Sequence, residues 1–305
     1  MINGAMPALV TPQDIDGGIR TELAESLIDL YTKQGAEAVY MLGWTGEGWA
    51  LDVEKRKTWA EAVLKAAENK IKVIVHVGYN KNLDDSVELA RHAAELGAYA
   101  VSSVGISREA SLQENIDYFK KISEAAPNIP FYIYWVDHGR TLTNGREMSP
   151  SELLSDMKEV PTFSGIKFTD TDFFTLERMK KHAPQINIVT GADEMAFQSQ
   201  LSGADGNIGA LQAITCYHHR QIFELVKEGK VKEAHELQVR ANDLSEVLGE
   251  SKYGKLPCIK GLMKRIYGID VGYCSPTGPY ANIIVPDDEL DNLEKVFRDN
   301  ILIQK

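Results

Sequence analysis

Gly35-Ala36-Glu37-Ala38-Val39 recurs as Gly97-Ala98-Tyr99-Ala100-Val101, and more faintly as Gly203-Ala204-Asp205-Gly206. Each copy sets a glycine where a helix should stop and a small apolar run where a strand should begin. The first two copies stand about 62 residues apart, two steps of about 31, close to the ~30 residues of a βαβ unit. Working outward from them, short apolar runs occupy residues 6–11, 38–43, 72–77, 100–105, 130–135, 163–169, 186–191 and 206–210. These read as eight strands separated by segments of helical period. Eight βα steps close into a (β/α)8 TIM barrel of the α/β class more readily than they make an open doubly wound sheet, and no Gly-x-Gly-x-x-Gly follows the first run.

Helix punctuation agrees with this spacing. Ser149-Pro150-Ser151-Glu152 supplies a cap, a first-turn proline and an acid at the third position, and Ser111-Leu112-Gln113-Glu114 is a second capping box. Beyond the eighth run the chain continues as helix, over roughly 231–249, then from Pro257 to Gly268. A last stripe follows at Leu290, Leu293, Val296, Phe297 and Ile301. No linker or low-complexity segment intervenes. The expectation is a single domain, with the barrel over 1–228 and a helical extension packed on it over 229–305.

The 305 residues carry a formal charge of −11, with 44% hydrophobic and 25% charged residues. An acidic balance argues against nucleic acid, which needs a basic face. No apolar stretch approaches the ~18 residues of a membrane span, and no signal peptide is visible at the start. Three cysteines, Cys216, Cys258 and Cys274, fit free thiols in a reducing compartment, so a cytoplasmic location is expected. No histidine, cysteine and carboxylate cluster has metal spacing, and adjacent His218 and His219 would point about 100° apart on a helix. Neither a metal nor a cofactor is expected.

Alternation in the sixth run, Phe163-Ser164-Gly165-Ile166-Lys167-Phe168-Thr169, turns Ile166 and Phe168 toward the helices and Lys167 toward the barrel interior. Desolvation disfavours an ammonium, and a neutral lysine in a barrel mouth is a nucleophile for ketones. A lysine snorkelling from the strand end into solvent is the plainer alternative. Tyr134, near the C-terminal end of the fifth run where barrel sites are built, is either a proton relay beside that lysine or an ordinary core tyrosine. Gly43-Trp44-Thr45-Gly46-Glu47-Gly48 follows the second run as an anion nest or a simple turn. After the seventh run, Gly191-Ala192-Asp193-Glu194 offers paired acids, suited to sugar hydroxyls or to a helix first turn. His76 reads as a satisfied interior histidine.

Taken together, Pro7-Ala8-Leu9-Val10-Thr11-Pro12, Thr45-Gly46-Glu47, Tyr132-Ile133-Tyr134 and Gly165-Ile166-Lys167 resemble the N-acetylneuraminate lyase and dihydrodipicolinate synthase superfamily of class I aldolases. The resemblance implies a TIM barrel with extra C-terminal helices, assembled as a homotetramer. It implies Lys167 as the Schiff-base residue, Tyr134 as proton relay, and Thr45 with Gly46 as the site of the pyruvate carboxylate. The lyase branch is favoured by Val75-His76-Val77-Gly78, by the stretch after Lys167, and by Gly206-Asn207-Ile208-Gly209. In that branch Thr169, Gly191, Asp193, Glu194 and Gly209 would hold the sugar acid, and the reaction would be reversible cleavage of N-acetylneuraminate to pyruvate and N-acetylmannosamine. Other pyruvate aldolases, namely the synthase (through Arg140) or a 2-keto-3-deoxy sugar acid aldolase, are alternatives. So are a phosphosugar barrel and a non-catalytic sugar-acid binding barrel. The chain departs from the family at Trp44, usually Ser or Thr, at Ala210, often Ser, and at 105–109, where Gly105-Ile106-Ser107-Arg108-Glu109 lacks the synthase aromatic pair.

Overall fold

The computed structural model describes residues 1–80, 82–107, 109–146 and 149–304, so Arg108 of the stretch after strand four lies outside it. Eight strands, β1 (Gly4–Pro7), β2 (Ala38–Met41), β3 (Lys72–His76), β4 (Ala100–Ser103), β5 (Phe131–Val136), β6 (Phe163–Thr169), β7 (Asn187–Thr190) and β8 (Gly206–Gly209), run parallel in sequence order. β8 pairs with β1, Gly4 opposite Gly206. Between β1 and β2 the ring is completed just past the strand, where Leu9 N–H donates to the Tyr40 carbonyl at 2.8 Å. A last strand paired with the first is a closed barrel, not a doubly wound sheet.

Helices α1 (Ala24–Lys33), α2 (Val53–Ala67), α3 (Leu83–Glu95), α4 (Leu112–Ala125), α5 (Pro150–Asp156), α6 (Phe173–His182), α7 (Ala196–Leu201) and α8 (Gln212–Lys227) follow the strands in turn. Ser149 caps α5 through the Glu152 N–H, and Ser111 with Glu114 makes both halves of the capping box on α4. Alternation sorts the core into two shells. Val39, Val73, Val101, Ile133, Ile166 and Phe168 pack outward under the helices, whereas Tyr40, Ile74, Ala100, Tyr132, Val189 and Ile208 fill the barrel. Burying a large side chain of this kind contributes roughly 1.5–3 kcal/mol, and because the outer shell holds most of the buried apolar side chains it is the main adhesive.

β1 begins at Gly4, earlier than the apolar run at 6–11 suggests. Ala8, Leu9 and Val10 are buried, and past Pro7 the pairing continues only as a single bridge, Ala8 to Tyr40. Apolarity reported burial, and pairing ended sooner.

α9 (Val231–Glu250), α10 (Lys255–Tyr267) and α11 (Asp287–Asn300) form the extension. α10 starts ahead of Pro257, which sits in its first turn where its missing N–H costs nothing. Gly268 ends it in the left-handed region at φ 71°. Leu290, Leu293, Phe297 and Ile301 are buried as their stripe predicts. Among the described residues no helix is long and apolar enough to cross a membrane.

Candidate active site

Lys167 lies opposite Tyr134 in the β5–β6 ladder, and both point into the barrel. Lys167 is 5% exposed. Its Nζ sits 4.0 Å from the centroid of the Tyr40 ring and 4.1 Å from that of Tyr134, so the amine occupies a slot between two aromatic faces. Burial lowers its pKa to about 7, opposed by the negative charge of Asp193. The snorkelling alternative fails on this geometry. A lysine half neutral at pH 7 carries a free lone pair.

The slot is braced by the neighbouring strands. The Tyr40 hydroxyl lies 2.8 Å from His76 Nδ1 and donates to Ser102 Oγ at 3.2 Å. Burial, aided by Arg56 and Lys167, holds His76 well below its usual pKa and therefore neutral. Arg56 in turn donates to the His76 carbonyl at 2.7 Å and to the Gly78 carbonyl at 2.9 Å. Burial raises the Tyr134 phenol, with the neighbouring Thr169 hydroxyl pulling the other way.

Behind β2, Glu47 does not line an anion nest. It is 1% exposed and pairs with Lys260 of α10 at 2.8 Å, while Gln13 Nε2 and the Ser275 N–H also donate to it. Thr11 Oγ1 donates to the Gly46 carbonyl at 2.6 Å, fixing the same loop from the other side. Trp44 is 55% exposed and stacks on Trp49 with 5.3 Å between ring centroids. Its side chain turns outward, and the half-buried Thr45 follows it in the chain.

After β7 and β8 the approach is so close that only glycine fits. A Cβ on Gly191 would stand 1.7 Å from Thr169 Oγ1, and one on Gly209 would stand 1.6 Å from Asp193 Oδ1. Asp193 is buried and accepts from the Leu211 N–H at 2.8 Å and from Gln212 Nε2 at 3.1 Å, at the head of α8. Glu194 accepts from Ser245 Oγ and from Lys255 Nζ at 2.6 Å. Burial alone would raise its pKa; Lys255 and Ser245 outweigh this and hold it near 2. The buried Thr169 Oγ1 lies beside the Tyr134 hydroxyl and, among the described residues, has no other polar partner.

Residues 1–293 match the dihydrodipicolinate synthetase family. The chain belongs to that family. It is 32% identical over 275 residues to the N-acetylneuraminate lyase of Fusobacterium nucleatum, covering 90% of this chain and 91% of that protein. A Clostridium difficile structure solved in complex with mannosamine superposes with a TM-score of 0.88 at 30% identity, over 99% of this chain and 100% of that one. A catalytic lysine mutant of the Ruminococcus gnavus sialic acid aldolase gives 0.89 at 27% identity, over 98% and 96% of the two chains.

Seen as a dihydrodipicolinate synthetase family member, the chain brings Lys167, Tyr134 and Thr169 together at the ends of β5 and β6, with Gly191, Asp193 and Gly209 packed beside them. Thr45 and Gly46 sit at the same end of the barrel, after β2. Glu194 reaches away, toward α9 and α10. The two acids do open a helical turn, Asp193–Met195, but their carboxylates serve α8 and Lys255 instead of that turn's own N–H groups. Arg140, on which the synthase alternative rested, pairs with Asp137 at 3.4 Å. Sequence reasoning missed Tyr40 altogether. The signal was present: Tyr40 has the inward parity of Ala38 on β2, as Tyr134 has that of Tyr132 on β5.

Proposed function

We propose that this protein is an N-acetylneuraminate lyase, a class I aldolase that reversibly cleaves N-acetylneuraminate to pyruvate and N-acetylmannosamine. The observation that carries this reading is the amine of Lys167, buried between two aromatic rings in a barrel whose relatives act on sialic acids. The Nζ lone pair attacks the C2 ketone of the open-chain sugar acid, and loss of water from the carbinolamine leaves an imine, which takes up a proton. The C4 hydroxyl then gives up its proton, the C3–C4 bond breaks, and its electron pair moves into the iminium to form an enamine while N-acetylmannosamine departs as the aldehyde. Protonation at C3 and addition of water at C2 release pyruvate and restore the amine.

Tyr134, beside Lys167, is the group assigned to move the C4 proton. The carboxylate is held by the Thr45 hydroxyl and the N–H groups of Thr45 and Gly46. Thr169, whose buried hydroxyl lies beside that of Tyr134, is the leading contact for the sugar chain. Asp193 completes that end, with Gly191 and Gly209 giving room for Thr169 and Asp193, while Glu194 stays tied to Ser245 and Lys255. The imine itself is the electron sink, so the scheme uses no metal and no cofactor. A cytoplasmic homotetramer is part of the same reading, carried by the family resemblance.

The experiment is direct. Purified protein incubated with N-acetylneuraminate should release pyruvate, measured by coupled lactate dehydrogenase, and borohydride with pyruvate should leave a reduced adduct on Lys167. An adduct without sialic acid cleavage would make it an aldolase for another sugar acid. An adduct on a different lysine would end the assignment.

A further inference from the structure

Lys167 has a second aromatic neighbour that the reaction scheme leaves without a role. We infer that Tyr40 is a positioning residue for Lys167, its ring forming the fixed wall of a slot that aims Nζ and stabilises the positive charge of the protonated imine. This rests on the reading of Lys167 given above.

The geometry has three parts. Lys167 Nζ lies over the Tyr40 ring, 4.0 Å from the centroid, well inside the ~6 Å range of cation–π attraction. Tyr40 and Tyr134 meet edge to face at 77°, so the two rings form walls of different orientation around one nitrogen. Tyr40 alone of the two is anchored at its hydroxyl from two strands, by His76 of β3 and Ser102 of β4. The wall is thus tied to β3 and β4, and Tyr134 is left for the substrate.

An aromatic face does little for a neutral amine and much for a cation. The reaction needs both states in sequence, a neutral nucleophile first and an iminium afterward. A carboxylate in the position of Tyr40 would favour the cation so strongly that the free amine would be lost. A quadrupole is weak enough to leave the amine free and strong enough to favour the iminium once it forms. The groups that surround Lys167 are consistent with this: Tyr40, neutral His76 and Tyr134 on the barrel side, and, among the described residues, Asp193 as the carboxylate whose charge is felt.

The test separates ring from hydroxyl. Borohydride trapping of pyruvate on Lys167 is measured against pH and pyruvate concentration in wild type, Tyr40→Phe and Tyr40→Leu. Tyr40→Leu keeps the site apolar and removes the face, so the pyruvate concentration for half-maximal trapping should rise about tenfold and the midpoint of the acid limb should move down by up to about one pH unit, the size of a desolvated cation–π contact. Tyr40→Phe should restore both to within about twofold and about 0.3 unit. If Tyr40→Leu does not fold, Tyr40→Met, which fills irregular space without a ring, takes its place. Wild-type values in Tyr40→Leu overturn the inference, as does a Tyr40→Phe variant impaired as badly as Tyr40→Leu, which would assign the effect to the hydroxyl. Absence of any Lys167 adduct in wild type is a different failure; it removes the reading of the site itself, and the inference falls with it.

Discussion

Two lysines are buried to nearly the same depth in this barrel, Lys167 at 5% exposure and Lys260 at 3%. Lys260 reaches from α10 to Glu47 at 2.8 Å and to the Thr11 carbonyl at 3.0 Å, so its charge is met on several sides. Lys167 meets two aromatic rings and feels one carboxylate at longer range. The contrast shows that burial by itself does not make a nucleophile. Partners decide: Lys260, with an acid in contact, holds structure, and Lys167, without one, has its pKa brought down to about 7.

The largest expected effect comes from replacing each lysine with methionine, because the two should respond in opposite ways. Lys167→Met should abolish pyruvate trapping and sialic acid cleavage while raising the urea midpoint of unfolding at pH 7. The sign follows from linkage. The folded pKa of about 7 lies below the unfolded 10.5, so the unfolded chain binds the proton more tightly, and stability is lost as pH falls from 10.5 toward 7. Methionine removes that loss. Lys260→Met should instead destabilise by about 3–5 kcal/mol, since Glu47 is left buried and unpaired. Midpoints moving in the same direction would erase the distinction.

A smaller effect sharpens it. The initial rate of trapping should rise about tenfold from pH 6 to pH 8, following the neutral fraction of Lys167, and then level off. A rate still climbing between pH 9 and 10 would mean that Lys167 behaves like an ordinary lysine. The smallest effects belong to the loop that Lys260 anchors. Thr45→Ala should weaken pyruvate affinity by about tenfold, the cost of one hydrogen bond to a charged group, whereas Trp44→Ser should change it by less than about twofold. The reverse ranking would put the indole in the carboxylate pocket.

Much of this was legible in the chain. The strand period, the repeat around Gly35 and Gly97, and the parity of Ile166-Lys167-Phe168 are local, and local rules give the barrel and the inward lysine. What was not legible depends on contacts between distant segments. Glu47 sits in a motif that reads as an anion-binding turn, and nothing nearby in sequence reveals that Lys260 will cover it. Asp193 and Glu194 read as sugar-facing acids or as a helix start; their partners at Leu211, Ser245 and Lys255 are supplied by later helices. The turn after β5 was also unforeseen. Asp137 and His138 adopt left-handed φ of 54° and 53°, and the Asp170 carboxylate beyond β6 holds it by accepting from the His138 N–H and from Trp135 Nε1. A strained backbone fixed by a remote acid leaves no periodic trace.

The Glu47–Lys260 contact also has a meaning in time. The two residues are 213 positions apart in the chain. At synthesis rates of about 5–20 residues per second, the ribosome needs roughly 10–40 s after making Glu47 before its partner exists. Through that interval all eight strands come to be present, yet the Glu47 carboxylate in the loop bearing Thr45 has Gln13 but not its cation. A nascent chain halted before α10 would thus hold a barrel whose mouth is not set. The last third of translation finishes the part of the site that the first sixth began.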